Sequence, residues 1–223
     1  ANKDLKVVNH DPLNLYYLGF NNALPPFDNV KVRQAFSLAL NREKLLDLSF
    51  PGGTELAQQI IPTSVNPGRS RDLRWLATDT DKAQTLLTEA GFNLDQEITI
   101  AFPNAPMQSL YSPAALAAEV RAQLLEIGAE ITMKPMDPVE FEKSISEGKE
   151  MFFIYWFMVD YQDGSAFFEK PFVAQAGNFG APYTDLQKMI DDVRDTSDAS
   201  EKQVIFDRLN QAVLDQVPLI PLG

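Results

Sequence analysis

MFFIYWFMVDYQDGSAFFEKPF, residues 151–172, is the stretch whose reading decides the fold, and it holds nine of the chain's 23 aromatic residues. A nine-residue apolar run from Met151 to Val159 stops at a polar, glycine-containing loop that carries Asp160, Tyr161, Asp163 and Gly164. Glu147, Lys149 and Glu150 bound it on the other side. The run is less than half of the ~20 apolar residues a membrane-crossing helix needs. Its aromatic content suits a strand covered on both faces, as in a parallel sheet. It therefore reads as a buried strand that delivers a polar loop.

Working upstream, Gly148 stops a helix over 138–147, which Asp137, Pro138 and Glu140 open in the manner of a capping box. A strand over 130–134 precedes it. Before that, Ser112-Pro113 opens a helix with the face Leu116, Val120, Leu124 and Ile127, closed by Gly128. Strand 97–102 (EITIAF) begins the series, which is β-α-β-α-β. Such alternation implies parallel strands joined by right-handed crossovers. The segments 103–112, 135–137 and 160–168 then share the carboxyl edge of the sheet, where open α/β sheets bind ligands. Topology alone puts Asp160, Tyr161 and Asp163 on that edge.

The flanks fit around this unit. Apolar residues at 5–8 and 13–20 suit strands, ended by Asn21, Asn22 and Pro25-Pro26. Asp28 is the expected cap of a helix with the buried face Val32, Ala35, Phe36, Ala39 and Leu40. Arg33 lies off that stripe and reads as a surface ion-pairing or inter-lobe residue. A second short helix is expected over 41–48. From Pro51 to about residue 77 the chain is irregular, and a loop that long is functional or wraps another part of the protein. Asp79 to Gly91 is a capped helix. Helices over 185–195 and 201–215, with caps expected at Thr184 and Ser200, lead to an apolar tail from Val217 to Leu222.

Composition narrows the function classes. The formal charge of −12 over 223 residues opposes nucleic acid and anionic membrane surfaces as partners. The chain has no cysteine, hence no disulfide and no thiol chemistry. His10 is the single histidine, and there is no Gly-x-Ser-x-Gly and no phosphate-cradling glycine loop, so metal, triad and nucleotide chemistry have no support. The run Asp160-Tyr161-Gln162-Asp163-Gly164 lacks the distal glutamate of a calcium loop. No cofactor and no enzymatic activity are expected. The start ANKDLKVV heads straight into a strand, as expected of an excised piece of a longer protein.

Three segments carry a resemblance. YYLGFNNALPPFDNVKVRQAFSLALNREKLL (16–46), DTDKAQTLLTEAGF (79–92) and WFMVDYQDG (156–164), with the tail DQVPLIPL (215–222), resemble in order the solute-binding proteins of peptide-type ABC importers, which carry oligopeptides, dipeptides and nickel chelates. The resemblance implies an α/β fold of the periplasmic-binding-protein kind (class II), a mixed, mostly parallel sheet flanked by helices. It also implies that residues 1–223 are a single lobe, the large C-terminal one of a two-lobed clamp, with the partner lobe lying elsewhere in the full protein.

The family's mode of action, carried over, is closure of two lobes on an extended peptide whose α-ammonium pairs with an acidic residue after the aromatic strand. The matching position is Asp160. Trp156, Phe157, Tyr161 and Asp163 complete the expected ligand-binding set, with Phe157 where the family usually has tryptophan. Aspartates in such a loop also cap turns, and aromatics beside a buried strand are often core. The segment PNAPMQSLYS (103–112) has no basic residue, so it lacks the arginine with which some dipeptide-specific members hold the substrate carboxylate. The implied partners are a peptide, the permease subunits and the missing lobe. Location would be the periplasm or cell surface, with membrane contact only through the permease or a lipid anchor outside this sequence. Another ligand of the family (a metal chelate, sugar or opine) and a ligand-sensing domain fused to a regulator are the competing readings.

Overall fold

The alternation expected between residues 97 and 159 is present in the computed structural model, which describes residues 13–223. The strand expected at 5–8, and His10, lie outside the described residues. Strand β1 spans Asn14–Phe20, followed by α1 (Val30–Ala39), α2 (Arg42–Ser49) and α3 (Thr80–Glu89). The central unit is β2 (Ile98–Pro103), α4 (Pro113–Glu126), β3 (Ile131–Met136), α5 (Pro138–Ser146) and β4 (Phe152–Met158). Then come α6 (Gly164–Glu169), a π turn at Lys170–Ala174, a 3-10 turn at Ala176–Phe179, α7 (Thr184–Asp195), α8 (Ala199–Gln216) and β5 (Leu219–Pro221).

The five strands form one sheet in the order β3-β2-β4-β1-β5. β2 runs parallel to both β3 and β4, while β1 is antiparallel to β4 and to β5. Four strands thus share a direction, and β1 alone opposes them. The fold is α/β with a mixed, mostly parallel sheet flanked by helices, as expected.

β4 is interior because both its faces find aromatic partners. On one face Phe152 stacks on Phe20, ring centroids 5.0 Å apart, and both meet Phe27 and Phe36. On the other, Tyr17 packs against Phe153, Tyr155 and Phe157, and stacks on Phe179. Each such ring removed from water contributes roughly 1.5–3 kcal/mol, so β4 anchors both layers. Gly19 belongs to this packing: a Cβ there would sit 2.3 Å from the Phe153 ring.

Several local expectations shift. Asn29, not Asp28, caps α1, its side chain accepting from the Lys31 amide. Asp198 caps α8 by accepting from the amides of Ser200 and Glu201, the role expected of Ser200. Thr184 is the first residue of α7, which has no side-chain cap. The segment 160–168, read as loop, turns into α6 at Gly164. Arg33 departs furthest from expectation. It is buried, its guanidinium donating to the carbonyls of Phe27, Gln216 and Val217. A residue off the apolar stripe is enclosed because α8 ends beside α1, and its orphan carbonyls need donors.

The irregular segment 51–77 wraps the sheet's β5 edge. Ala57 N–H donates to Leu222 O at 3.0 Å, and Arg42 Nη1 donates to the carbonyls of Ala57 and Pro221 at 2.6 and 2.9 Å. Gln59 closes the loop on Ser70 in both directions, at 2.6 and 2.9 Å. An edge strand is thereby covered, not left as a template for pairing.

Candidate functional site

The parallel register places the ends of β2, β3 and β4 on one rim, and the rim opens for a specific reason. The β2–β4 ladder contains only Ile100↔Phe152 and Ala101↔Phe153. Both strands run on, β2 to Pro103 and β4 to Met158, while β1 follows β4 all the way to Asn14↔Met158. From Ile154 to Met158 the flank of β4 that faces β2 has no ladder partner among the described residues. The gap lies where the connection after β2 goes to α4 and the connection after β4 goes to α6, a switch point of the topology. The loops after β2 and β3 are tied together by Asn104 N–H donating to Met136 O at 2.8 Å.

Trp156 is half-buried beside this gap. It lines a cavity of about 150 Å³ together with Pro103, Met107, Pro138, Phe141 and Glu142. Its ring stacks on Tyr16, its cross-strand partner, with centroids 6.1 Å apart and 23° between planes. Tyr16 in turn accepts the Ser109 amide on its hydroxyl at 3.2 Å, pinning the loop after β2. Burial pushes that hydroxyl above its usual titration range, and the neighbouring amides only partly offset this. Glu142 accepts a short hydrogen bond from Tyr155 OH. Burial, and then this bond, push the Tyr155 phenol far up, so it remains a donor.

The expected residues separate along the pleat. Phe157, one position from Trp156, points to the opposite face and is enclosed by Tyr17 and Phe167, so it cannot reach a ligand at the rim. Trp156, by contrast, lies on the open flank. Asp160 and Tyr161 follow β4 on the rim and are exposed. Asp163 is occupied in capping α6: its carboxylate accepts the Ser165 amide at 2.8 Å and the Ser165 hydroxyl at 2.7 Å. Phe167 and Phe168 are core.

A second, larger cavity of about 430 Å³ was not singled out in the sequence. It lies beside β1, between Asn14, Tyr16, Phe50, residues 52–63, Arg69, Ser109 and Gly223. Its volume falls within the ~300–1,000 Å³ of small-ligand pockets. The signal that could have found it is the long irregular segment with Gly52-Gly53, whose length pointed to function or wrapping and which does the wrapping described above. Tyr16 lines this cavity while its stacking partner Trp156 lines the smaller one.

The family described as bacterial extracellular solute-binding proteins, family 5 Middle, matches residues 1–179. Among curated proteins, the chain is 26% identical to the dipeptide-binding protein of Escherichia coli K12 over 98% of its own length and 42% of that protein's. It is 22% identical to heme-binding protein A of Haemophilus influenzae, over 98% of this chain and 41% of that one. Among solved structures, the dipeptide-binding protein of Pseudoalteromonas sp. SM9913 in complex with Met-Leu superposes with a TM-score of 0.86 at 24% identity, covering 99% of this chain and 44% of that one. The periplasmic binding protein DppA from Helicobacter pylori in complex with peptide STSA gives 0.81 at 19% identity, covering 95% and 41%. The chain spans less than half the length of the relatives it matches. The sheet, its helical layers and the matched residues agree that this chain belongs to the bacterial extracellular solute-binding proteins, family 5.

Proposed function

We propose that this chain is the large C-terminal lobe of the substrate-binding component of an ABC importer, which captures peptides outside the cytoplasm, closes on them with a second lobe and hands them to the permease. The observation that carries this reading is the unladdered flank of β4. An extended peptide adds its main chain to an open strand flank, which gives affinity without demanding a particular sequence. Such a flank inside a walled gap is suited to that use and shielded from edge-to-edge aggregation. The work is capture, not bond-making.

Asp160, at the end of the same strand, supplies the charge for the peptide's α-ammonium. A charge-assisted hydrogen bond contributes about 1.5–3 kcal/mol once a closing lobe removes water. Exposed Tyr111, Val139, Met158 and Tyr161 stand around the same rim, apolar surface that a second lobe would cover. The peptide- and dipeptide-binding relatives favour this ligand class over the others the family carries.

The test is calorimetric titration of the complete protein that carries this chain, with Ala-Ala-Ala and N-acetyl-Ala-Ala-Ala. Asp160→Asn is expected to weaken the free-amine peptide roughly ten- to hundredfold and to leave the much weaker acetylated peptide nearly unchanged. Equal losses for both would remove Asp160 from the amine-binding role. No binding of either by the wild type would end the peptide reading.

A further inference from the structure

The cavity of about 150 Å³ beside Trp156 is half the size of the smallest ordinary ligand pocket, so it suits one side chain and not a whole ligand. Its walls are mostly apolar, with Pro103, Met107, Pro138, Phe141 and the Trp156 ring, and Gln108 adds a neutral polar group. Glu142 is the one ionisable residue lining it among the described residues. We propose that this cavity is a side-chain subsite selective for a long cationic residue, lysine or arginine, of the captured peptide, with Glu142 as the group that reads the charge. The inference rests on the peptide-capture reading and deepens it.

The geometry supports a reader of charge in three ways. One carboxylate oxygen of the exposed Glu142 is held by Tyr155 OH, so the side chain is oriented before any ligand arrives, and the other oxygen has no donor among the described residues. Tyr155 is itself fixed by the rings of Tyr17, Phe141 and Phe153. Its phenol, driven upward in pKa, does not release its proton at neutral pH. The mostly apolar walls suit the methylene stem of lysine or arginine, and an indole ring among them favours a cation over a neutral group. The chain's formal charge of −12 acts in the same direction at longer range.

The cavity also adjoins the open flank of β4. Side chains of an added strand point alternately to its two faces, so a peptide paired along Ile154–Met158 would direct only alternate residues toward the cavity. Charge selection is therefore expected at one position of a bound peptide and not at its neighbours.

Calorimetry on the complete protein with a matched set decides the matter: Ala-Ala-Ala carrying either lysine or norleucine at each of its three positions in turn. Norleucine keeps the stem and lacks the ammonium. At one position lysine is expected to bind roughly three- to tenfold tighter than norleucine, the range between an exposed and a desolvated charge pair. Glu142→Gln, which can still accept from Tyr155, is expected to bring that ratio to about one while norleucine affinity holds. Trp156→Ala is expected to weaken both peptides at that position, as loss of a shared wall would. A lysine preference that survives Glu142→Gln, or none at any position, would overturn the subsite while leaving peptide capture intact. Failure of every peptide to bind would instead overturn the reading beneath it. Unchanged thermal melting of Glu142→Gln separates loss of recognition from loss of fold.

Discussion

Arg33 and Val217 form one joint between the first and last helices: Arg33 Nε donates to Val217 O at 3.1 Å, and Val217 holds a left-handed φ of 43°, alone among non-glycine residues in the described part. A β-branched residue in that region is strained. Val217 tolerates it because its side chain is enclosed and its carbonyl, with those of Gln216 and Phe27, is satisfied by one guanidinium. Methionine in place of Arg33 would strand these carbonyls. Arg33→Met is expected to lower unfolding free energy by about 2–4 kcal/mol, read as a drop in the urea midpoint at unchanged slope. Arg33→Lys is expected to recover only part, because one ammonium lacks the forked geometry. A midpoint within error of wild type for both would show that the joint is not a source of stability.

Gly164 is where the end of the aromatic loop meets the wrapping segment. A Cβ there would lie 2.6 Å from Pro67 O and 2.9 Å from Gly68 Cα, both backbone atoms that cannot turn aside. Gly164→Ala is therefore expected to destabilise the protein by about 1–3 kcal/mol, although alanine is the better helix former. Hydrogen exchange should quicken at the 62–70 backbone more than in β2 or β3. A stabilised Gly164→Ala protein would contradict the close approach.

Asp163 has a structural assignment that separates it from Asp160. As the cap of α6 it accepts from the Ser165 amide and hydroxyl. Asp163→Ala is expected to cost about 0.5–2 kcal/mol of stability, measured by thermal or urea unfolding, with Asp163→Ser recovering most of it. Peptide affinity is expected to change less than twofold in either variant. A tenfold loss of affinity in Asp163→Ser would return Asp163 to the ligand.

Much of the architecture was legible in one dimension because its signals are local. The run at 151–159, the Ser112-Pro113 and Asp137-Pro138 helix starts and the stops at Gly128 and Gly148 reveal β-α-β-α-β by spacing alone, and the handedness of crossovers then fixes one rim for residues 103, 136 and 160. The caps moved by a residue or two, to Asn29 and Asp198, because neighbouring Asp, Asn and Ser side chains compete for the same amides and only the final backbone path chooses among them.

The sequence by itself determined the strand, its direction, the rim on which its loop emerges and, through resemblance, the family. Only the tertiary structure decided which side chains of that strand are available. Trp156 and Phe157 are adjacent and both aromatic, so composition cannot rank them; the pairing of Tyr16 with Trp156 and of Leu15 with Phe157 sends one to the gap and the other to the core. Likewise Arg33 looked like surface until α8 was laid beside α1, and Glu142 was one acid among 31 acidic residues until its bond from Tyr155 and the loop after β2 set it at the wall of a cavity. Periodicity is a property of neighbours in the chain. Enclosure is a property of neighbours in space, and it depends on where β2 and β4 part.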